Sequence, residues 1–398
     1  MRISVLATDS VPNIGGIADY LNGLMSSTVN EIQWNLKTTA PGSPEEDHLL
    51  PYPVHHFSVS TRRLGDHFGD GFAPVRKLNT LRWLRYRRKE DFNLVKKTVE
   101  EDNPDAILFP RWTESSHPWF QACVDMGIQY IIIAFGLEIV MPVSSKMETA
   151  RKSDFAKAAL VYADSHFVAD LVRILAGEDT PVLVLNPGVT PEKMETIPEE
   201  LAASTIQGIG LEDRFILAMG RLVHRKGFDL AVEAFDRIAE DWPEVDLVVA
   251  GDGDDRREVE VTVENSRNKD RIRMLGRISE REKHALFQKC EFYVMPNRPV
   301  EEDIEGFGIV FLEANYYGKA VIGGNNGGVC DAIEHEETGL LVDIPDTVAL
   351  AEAMERLLKD RDLASAYGRT GRERVLNDFQ WSHLSQIFLR GIDKYLRG

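Results

Sequence analysis

Residues 215–242 read FILAMGRLVHRKGFDLAVEAFDRIAEDW, a strand, a loop and a helix in one stretch. FILAM is apolar throughout rather than alternating, the pattern of a strand with both faces covered. From Phe228 on, Ala231, Phe235, Ile238 and Trp242 recur at spacings of three and four, which is one buried helix face. Between them, Gly220–Gly227 puts Arg221 and Lys226 on the loop at the carboxyl end of the strand, where parallel sheets bind ligands. Cations are disfavoured at the positive end of a helix, so their presence there points to an anion. A forked guanidinium and a point-charge ammonium suit a diphosphate. The plainer alternative is a basic loop before a helix. His224 and Arg225 are expected to be exposed.

The same alternation extends in both directions. Apolar runs at Ile3–Ala7, Ala106–Phe109, Tyr130–Ala134, Leu160–Ala163 and Val182–Leu185 form one series. A second runs through Phe215–Met219, Leu247–Ala250, Ile272–Leu275, Phe292–Met295, Ala320–Ile322 and Leu340–Val342. Strands alternating with amphipathic helices predict an α/β chain with two doubly wound parallel sheets. Thr190–Gly210 holds Pro191, Pro198, Gly208 and Gly210 and no strand run, so it reads as a linker. The predicted organisation is a first domain over 1–190, a linker over 191–210 and a second domain over 211–378. The last segment, Phe379–Leu396, is helical by pattern and lies beyond the last strand of the second domain. An irregular insert rich in Gly, Pro and His spans Pro41 to Asn79.

A length of 398 residues suits two domains. Lys and Arg total 46 against 64 Asp and Glu, a net charge of −18, which argues against a general nucleic-acid binder. One small phosphate pocket stays compatible with that balance. Cys123, Cys290 and Cys330 are too scattered for a disulfide framework or a zinc site. The start, MRISVLATDS, reads as a first strand rather than a signal segment, and the longest apolar run, Tyr130–Phe135, is too short to span a bilayer. A cytoplasmic location is the expectation. Arg82, Arg85, Arg87, Arg88 and Lys89 cluster beside Trp83, Leu84 and Tyr86, with Lys96 and Lys97 following. This reads as a solvated helix face, with peripheral membrane contact as the alternative.

Three further segments carry chemistry. In Glu305-Gly-Phe-Gly-Ile-Val-Phe-Leu-Glu313, two carboxylates stand eight positions apart, about two helical turns; the residues from Ile309 onward read as the start of a helix, which would set Glu313 roughly below Glu305. The glycines leave the N–H groups of Phe307, Gly308 and Ile309 at a positive helix end, suited to an anionic, polyhydroxylated ligand. A helix cap with one solvated Glu is the rival reading. Asn13-Ile-Gly15-Gly16-Ile17 follows the first strand and would allow close approach to a phosphate, or simply make a turn. Gly251-Asp-Gly253 and Gly323–Gly328 likewise follow strands. Together these loops are expected to converge on a cleft between the domains. His48, His55, His56 and His67 show no metal-ligand spacing, and no metal is expected.

The set GRLxxxKG at Gly220–Gly227, AGDGD at Ala250–Asp254, LGR at Leu275–Arg277, EGFGIVFLEA at Glu305–Ala314 and the later GG and TGLLV segments resembles the family 4 glycosyltransferases. The resemblance covers nearly the whole chain and is more specific in its second half. It implies the GT-B architecture, two Rossmann-like domains facing a cleft, with the C-terminal helix over 379–398 packing back on the first domain. It implies a retaining, metal-independent transfer of a hexose from a nucleotide diphosphate sugar, UDP first and GDP next, to a hydroxyl acceptor. Glu305 would then contact the sugar and Glu313 the ribose. Arg221 and Lys226 would neutralise the diphosphate, with the backbone of Phe307, Gly308 and Ile309 beside sugar and phosphate oxygens. Gly251 would belong to the donor site, Arg277 and Ile278 would line the base pocket, and Gly15 and Gly16 would approach the diphosphate.

The first half departs from the family pattern. Where members carry His-Gly and an acidic residue, this chain has Phe135, Gly136 and Glu138 as its sugar-positioning or acceptor set. His117, on a neighbouring loop, is a candidate substitute, with a packed structural His as the alternative. Gly327-Gly-Val-Cys330-Asp331 replaces the usual GG-x-PE, and Asn186-Pro-Gly-Val-Thr190 stands for NGVD. Phe135 keeps one rival function open, a silent nucleotide-sugar-binding or partner protein; a nucleotide-sugar epimerase on the same architecture is another. No cofactor beyond the sugar donor is implied.

Overall fold

The structure is a computed structural model that describes residues 1–7, 16–39, 47, 50–57, 92–191, 194, 196–211 and 214–397. Its chain forms two compact units. One comprises Met1–Ala163, Ala169–Leu185 and Ser385–Gly398; the other comprises Asp164–Val168 and Asn186–Leu384.

The first unit is built on a parallel sheet of β1 (Arg2–Ala7), β2 (Gln33–Thr38), β3 (Val54–His56), β4 (Ala106–Phe109), β5 (Gln129–Ala134), β6 (Leu160–Ala163) and β7 (Val182–Val184). Their order is β3-β2-β1-β4-β5-β6-β7. All four residues of β4 and of β6 are buried, as unbroken apolar runs require. β2 and β3 were not expected from the sequence. QWNLKT alternates, burying Trp34 and Leu36, and Lys37 is buried too because its ammonium lies 3.0 Å from Glu101 and 3.3 Å from Asp102. A paired cation therefore disguises a core strand. β3, VHH, is simply too short and polar to stand out.

The second unit holds β8 (Phe215–Met219), β9 (Asp246–Ala250), β10 (Ile272–Gly276), β11 (Tyr293–Met295), β12 (Val321–Gly324) and β13 (Gly339–Val342), all parallel, in the order β10-β9-β8-β11-β12-β13. The helix Phe228–Ile238 buries Phe228, Ala231, Phe235 and Ile238, the spacing read from the sequence. The segment 191–210 is not a bare linker. It carries the helix Glu199–Gly208, whose Ala202 and Ile206 enter the core of the second unit, and Thr205 accepts a hydrogen bond from Arg281 at 3.1 Å.

Both sheets thus repeat one doubly wound, Rossmann-like plan, and their strand order reverses between β1 and β4 and between β8 and β11. Loops at the carboxyl ends of such strand pairs are where this fold binds ligands. The insert at 41–79 falls largely outside the described residues, and the basic run at 82–89 does so entirely. Lys96 and Lys97, which follow, are exposed and pair with Glu100 and Glu101 one turn on. Among the described residues, no helix is long and apolar enough to cross a membrane.

Candidate functional site

The loops after β8 and β11 meet at the second reversal point. Gly227 closes the first with φ +67°, and a Cβ there would lie 2.1 Å from the carbonyl oxygen of Pro296. The Arg298 N–H donates to the Arg225 carbonyl at 2.7 Å, tying the second loop to the first. Side chains then converge. The Lys226 ammonium is 3.3 Å from Glu305 Oε2 and 3.2 Å from Met295 Sδ. Arg225 reaches the same Oε2 through Nε at 3.1 Å and Asp303 Oδ1 through Nη1 at 2.8 Å. The Glu305 side chain is only 12% exposed. Burial alone would raise its carboxyl, but Lys226 and Arg225 outweigh burial and hold it below the usual carboxylate range. Arg225 was expected to be exposed. It is largely buried instead, because two carboxylates compensate the desolvation of its guanidinium.

Arg221, on the same loop, is exposed and has no ion-pair partner among the described residues. The helix Ile309–Tyr316 begins behind Gly308, whose φ is +87°. It starts where the sequence placed it, so Glu305 precedes it and a count of helical turns does not by itself set Glu313 beneath it. Glu313 pairs with Lys283 at 2.7 Å. The N–H groups of Phe307, Gly308 and Ile309 donate to no group among the described residues, which leaves the positive helix end unengaged. Gly327 and Gly328 back this turn: the Gly328 N–H donates to the Glu305 carbonyl at 3.0 Å, and a Cβ on Gly328 would lie 1.5 Å from the Gly306 oxygen.

Gly251 has φ +136°, and a Cβ there would sit 1.8 Å from the Gly220 oxygen. Close passage of two backbones is reason enough for this glycine. Arg277 is exposed and pairs with Asp252 at 3.1 Å; Ile278 packs half-buried against the core. Buried Asn297, which the sequence reading missed, accepts from the Gly324 N–H at 2.9 Å and donates to Asn326 at 3.0 Å. Asp303 was also missed. The only sequence signal for it is a second carboxylate two positions before Glu305, opposite an Arg–Lys doublet.

In the first unit, Gly15 lies outside the described residues and Gly16 opens the helix Gly16–Ser27. Phe135 sets its ring edge-on to Tyr20 at 5.2 Å, and its N–H donates to Glu138 Oε1 at 2.6 Å across Gly136, where φ is +95°. The Glu138 carboxyl therefore folds back on its own loop. Burial pushes it up, and backbone N–H groups with Arg111 offset only part of the rise. His117 is the first residue of the helix His117–Met126, beyond β4 at the other reversal point. Its Nδ1 lies 2.7 Å from Asp154 Oδ2, a buried oxygen that also accepts from Trp112 Nε1 at 2.9 Å. Among the described residues, no group of three His, Cys, Asp or Glu side chains could hold a metal ion.

Residues 202–374 match the family model described as glycosyl transferases group 1. A GDP-mannose-dependent alpha-(1-6)-phosphatidylinositol monomannoside mannosyltransferase of Mycobacterium tuberculosis is 34% identical over 52% of this chain and 56% of its own length. An alpha-1,3/1,6-mannosyltransferase of Homo sapiens is 30% identical over 54% and 52%. The chain thus spans about half the length of these curated relatives. Among solved structures, Anabaena HepE in complex with UDP is similar with a TM-score of 0.76 at 17% identity, covering 99% of this chain and 100% of that one. Sucrose-phosphate synthase of Thermosynechococcus elongatus gives a TM-score of 0.75 at 19% identity over 99% and 98%. At such identities the likeness bears on fold alone, and the fold is GT-B.

Proposed function

We propose, from the premise that residues 202–374 belong to the glycosyl transferases group 1 family, that this chain moves a hexose from a nucleoside diphosphate sugar to a hydroxyl acceptor. The observation that carries the reading is the meeting of Lys226, Arg225 and Glu305 beside the unengaged amides of a helix start, at the point where strand order reverses. Lys226 and Arg221 take the diphosphate and the charge that grows on it as it leaves. Phe307, Gly308 and Ile309 supply amide protons, Glu305 holds the sugar and Glu313 the ribose, with Gly251, Arg277 and Ile278 toward the base. In this reading the two cations take the part a metal would otherwise serve.

The donor is a GDP-sugar in this reading, GDP-mannose first. The mycobacterial relative, with its GDP-mannose dependence, supports that choice, and it reverses the order expected from the sequence. Retention of the anomeric configuration is part of the proposal. Glu305 is already committed to two cations and held below the ordinary carboxylate range, so it makes a poor nucleophile or base. The departing phosphate oxygen is the alternative proton acceptor. His117, oriented through Nδ1 by Asp154, keeps Nε2 for an acceptor or sugar hydroxyl.

The test is release of GDP or UDP by purified protein given GDP-mannose or UDP-glucose and a panel of hydroxyl acceptors, with product anomers assigned by NMR. Product of retained configuration from GDP-mannose supports the whole proposal, and inverted product removes its mechanistic part. A second reading, a silent sugar-nucleotide binder, draws on Phe135, whose ring offers no polar atom and packs on Tyr20. Binding without release of nucleoside diphosphate across the panel would favour it. Sugar conversion without acceptor would point to an epimerase.

A further inference from the structure

Two adjacent cations, Arg225 and Lys226, share one oxygen of Glu305, at 3.1 and 3.3 Å. Among the described residues, only the Arg225 side chain has a second carboxylate: its Nη1 lies 2.8 Å from Asp303, and its carbonyl accepts from Arg298 at 2.7 Å. Lys226 is otherwise against Met295 Sδ, a weak acceptor. Glu305 is nearly buried, so a carboxylate abandoned by both cations would be strongly disfavoured.

We infer that Arg225, fixed by Asp303, is a positioning residue that holds Glu305 so that Lys226 can leave it and engage the donor diphosphate. The inference rests on the proposed role of Lys226 as a diphosphate cation. Without Arg225, Lys226 becomes the one cation holding a buried carboxylate, and the diphosphate must compete for it. Arg225 therefore acts through its neighbours and touches no substrate.

The diagnostic is a double-mutant cycle read as affinity for free GDP and UDP by titration calorimetry. These probes carry no sugar, so loss of the sugar contact of Glu305 does not enter. R225Q is expected to weaken binding about tenfold, and adding E305Q to it should restore affinity to within about threefold of wild type, since Lys226 is then released. A residue that merely braces the loop would give no such recovery. D303N, which keeps the guanidinium but loosens it, should shift affinity in the same direction by a smaller factor, and it serves if R225Q fails to fold. Wild-type affinity in R225Q, or in D303N should R225Q not fold, overturns the inference while leaving the donor site standing, as does a double variant no tighter than R225Q. Wild-type protein that binds neither nucleotide overturns the donor site itself, and the inference with it.

Discussion

At the scale of single residues, Arg221 and Lys226 are assigned the same ligand but rest differently, and their variants should separate. Arg221 is exposed and without an ion-pair partner among the described residues, so Arg221→Ala should leave stability within about 0.5 kcal/mol of wild type. Lys226 supports buried Glu305, so Lys226→Ala should also lower the melting temperature. Both should lose about 10²–10³ in kcat/KM, the range for removing one preorganised electrostatic partner of a departing charge. Wild-type turnover in either variant removes its role at the diphosphate.

Two carboxylates give opposite pH signatures. Glu305 is held below its ordinary value, so its pairing stabilises the fold above about pH 4.5 and is lost as pH falls through the lower folded-state value. Glu138 is pushed up by burial, so its contribution is complete at low pH and is lost as pH rises through the raised value. Urea midpoints followed against pH should therefore show Glu305→Gln destabilised at neutral pH and converging on wild type in acid. Glu138→Gln should gain on wild type as pH rises, because the amide oxygen still accepts from Phe135 without carrying charge. Parallel curves for the two variants would contradict both assignments. The meeting of Lys226 with Glu305 was foreshadowed in the sequence because glycine and charge at a strand end have few other uses. Arg225 was not, because its partners lie 78 and 80 positions away and the chain nearby looks merely basic.

At the scale of elements, the site is shaped by backbone crossings. The turn at 305–308 lies on Gly327–Gly328, and the loop after β8 lies on Gly251, at distances that leave no room for a methyl group. Gly328→Ala and Gly251→Ala should each destabilise the second unit by about 1–3 kcal/mol or more, the range for overpacking, and weaken binding of GDP. Gly208, at the end of the helix Glu199–Gly208, meets nothing within 4 Å and has no positive φ, so Gly208→Ala should gain about 0.4–1 kcal/mol. Denaturant melts of the three variants check this, and equal effects would show that the crossings do not matter. The glycine pattern marked these loops in sequence, and the helix begins at Ile309, where the sequence placed it, leaving Glu305 outside it. A count of turns from Glu305 therefore does not position Glu313, which pairs with Lys283. β2 was hidden because Lys37 is buried by pairing with Glu101 and Asp102, partners 64 and 65 positions distant.

At the scale of the whole molecule, two series of apolar runs made both sheets legible, and the family resemblance put the last helix on the first domain, but where along that helix the chain passes from one unit to the other needed coordinates. Trp381–Leu396 is one helix, yet Trp381–Leu384 belongs to the second unit and Ser385 onward to the first. In the first unit, fully buried Phe388 lies 4.9 Å from the ring of Tyr162 and 5.9 Å from that of Trp34, and its carbonyl accepts from the Tyr162 hydroxyl. Gly391 passes so near that a Cβ would lie 2.3 Å from the same hydroxyl oxygen. This segment completes the first core from the far end of the chain. Phe388→Ala should cost that core about 3–5 kcal/mol, as for a buried aromatic elsewhere. GDP at a hundred times its dissociation constant should stabilise the second unit by about 2.7 kcal/mol. Calorimetry of Phe388→Ala with and without GDP should therefore resolve two transitions: a lowered one for the first unit, and one for the second that keeps its wild-type position and still rises with nucleotide. A single transition lowered as a whole would mean that the units do not melt independently, and the C-terminal segment would then stabilise the entire chain.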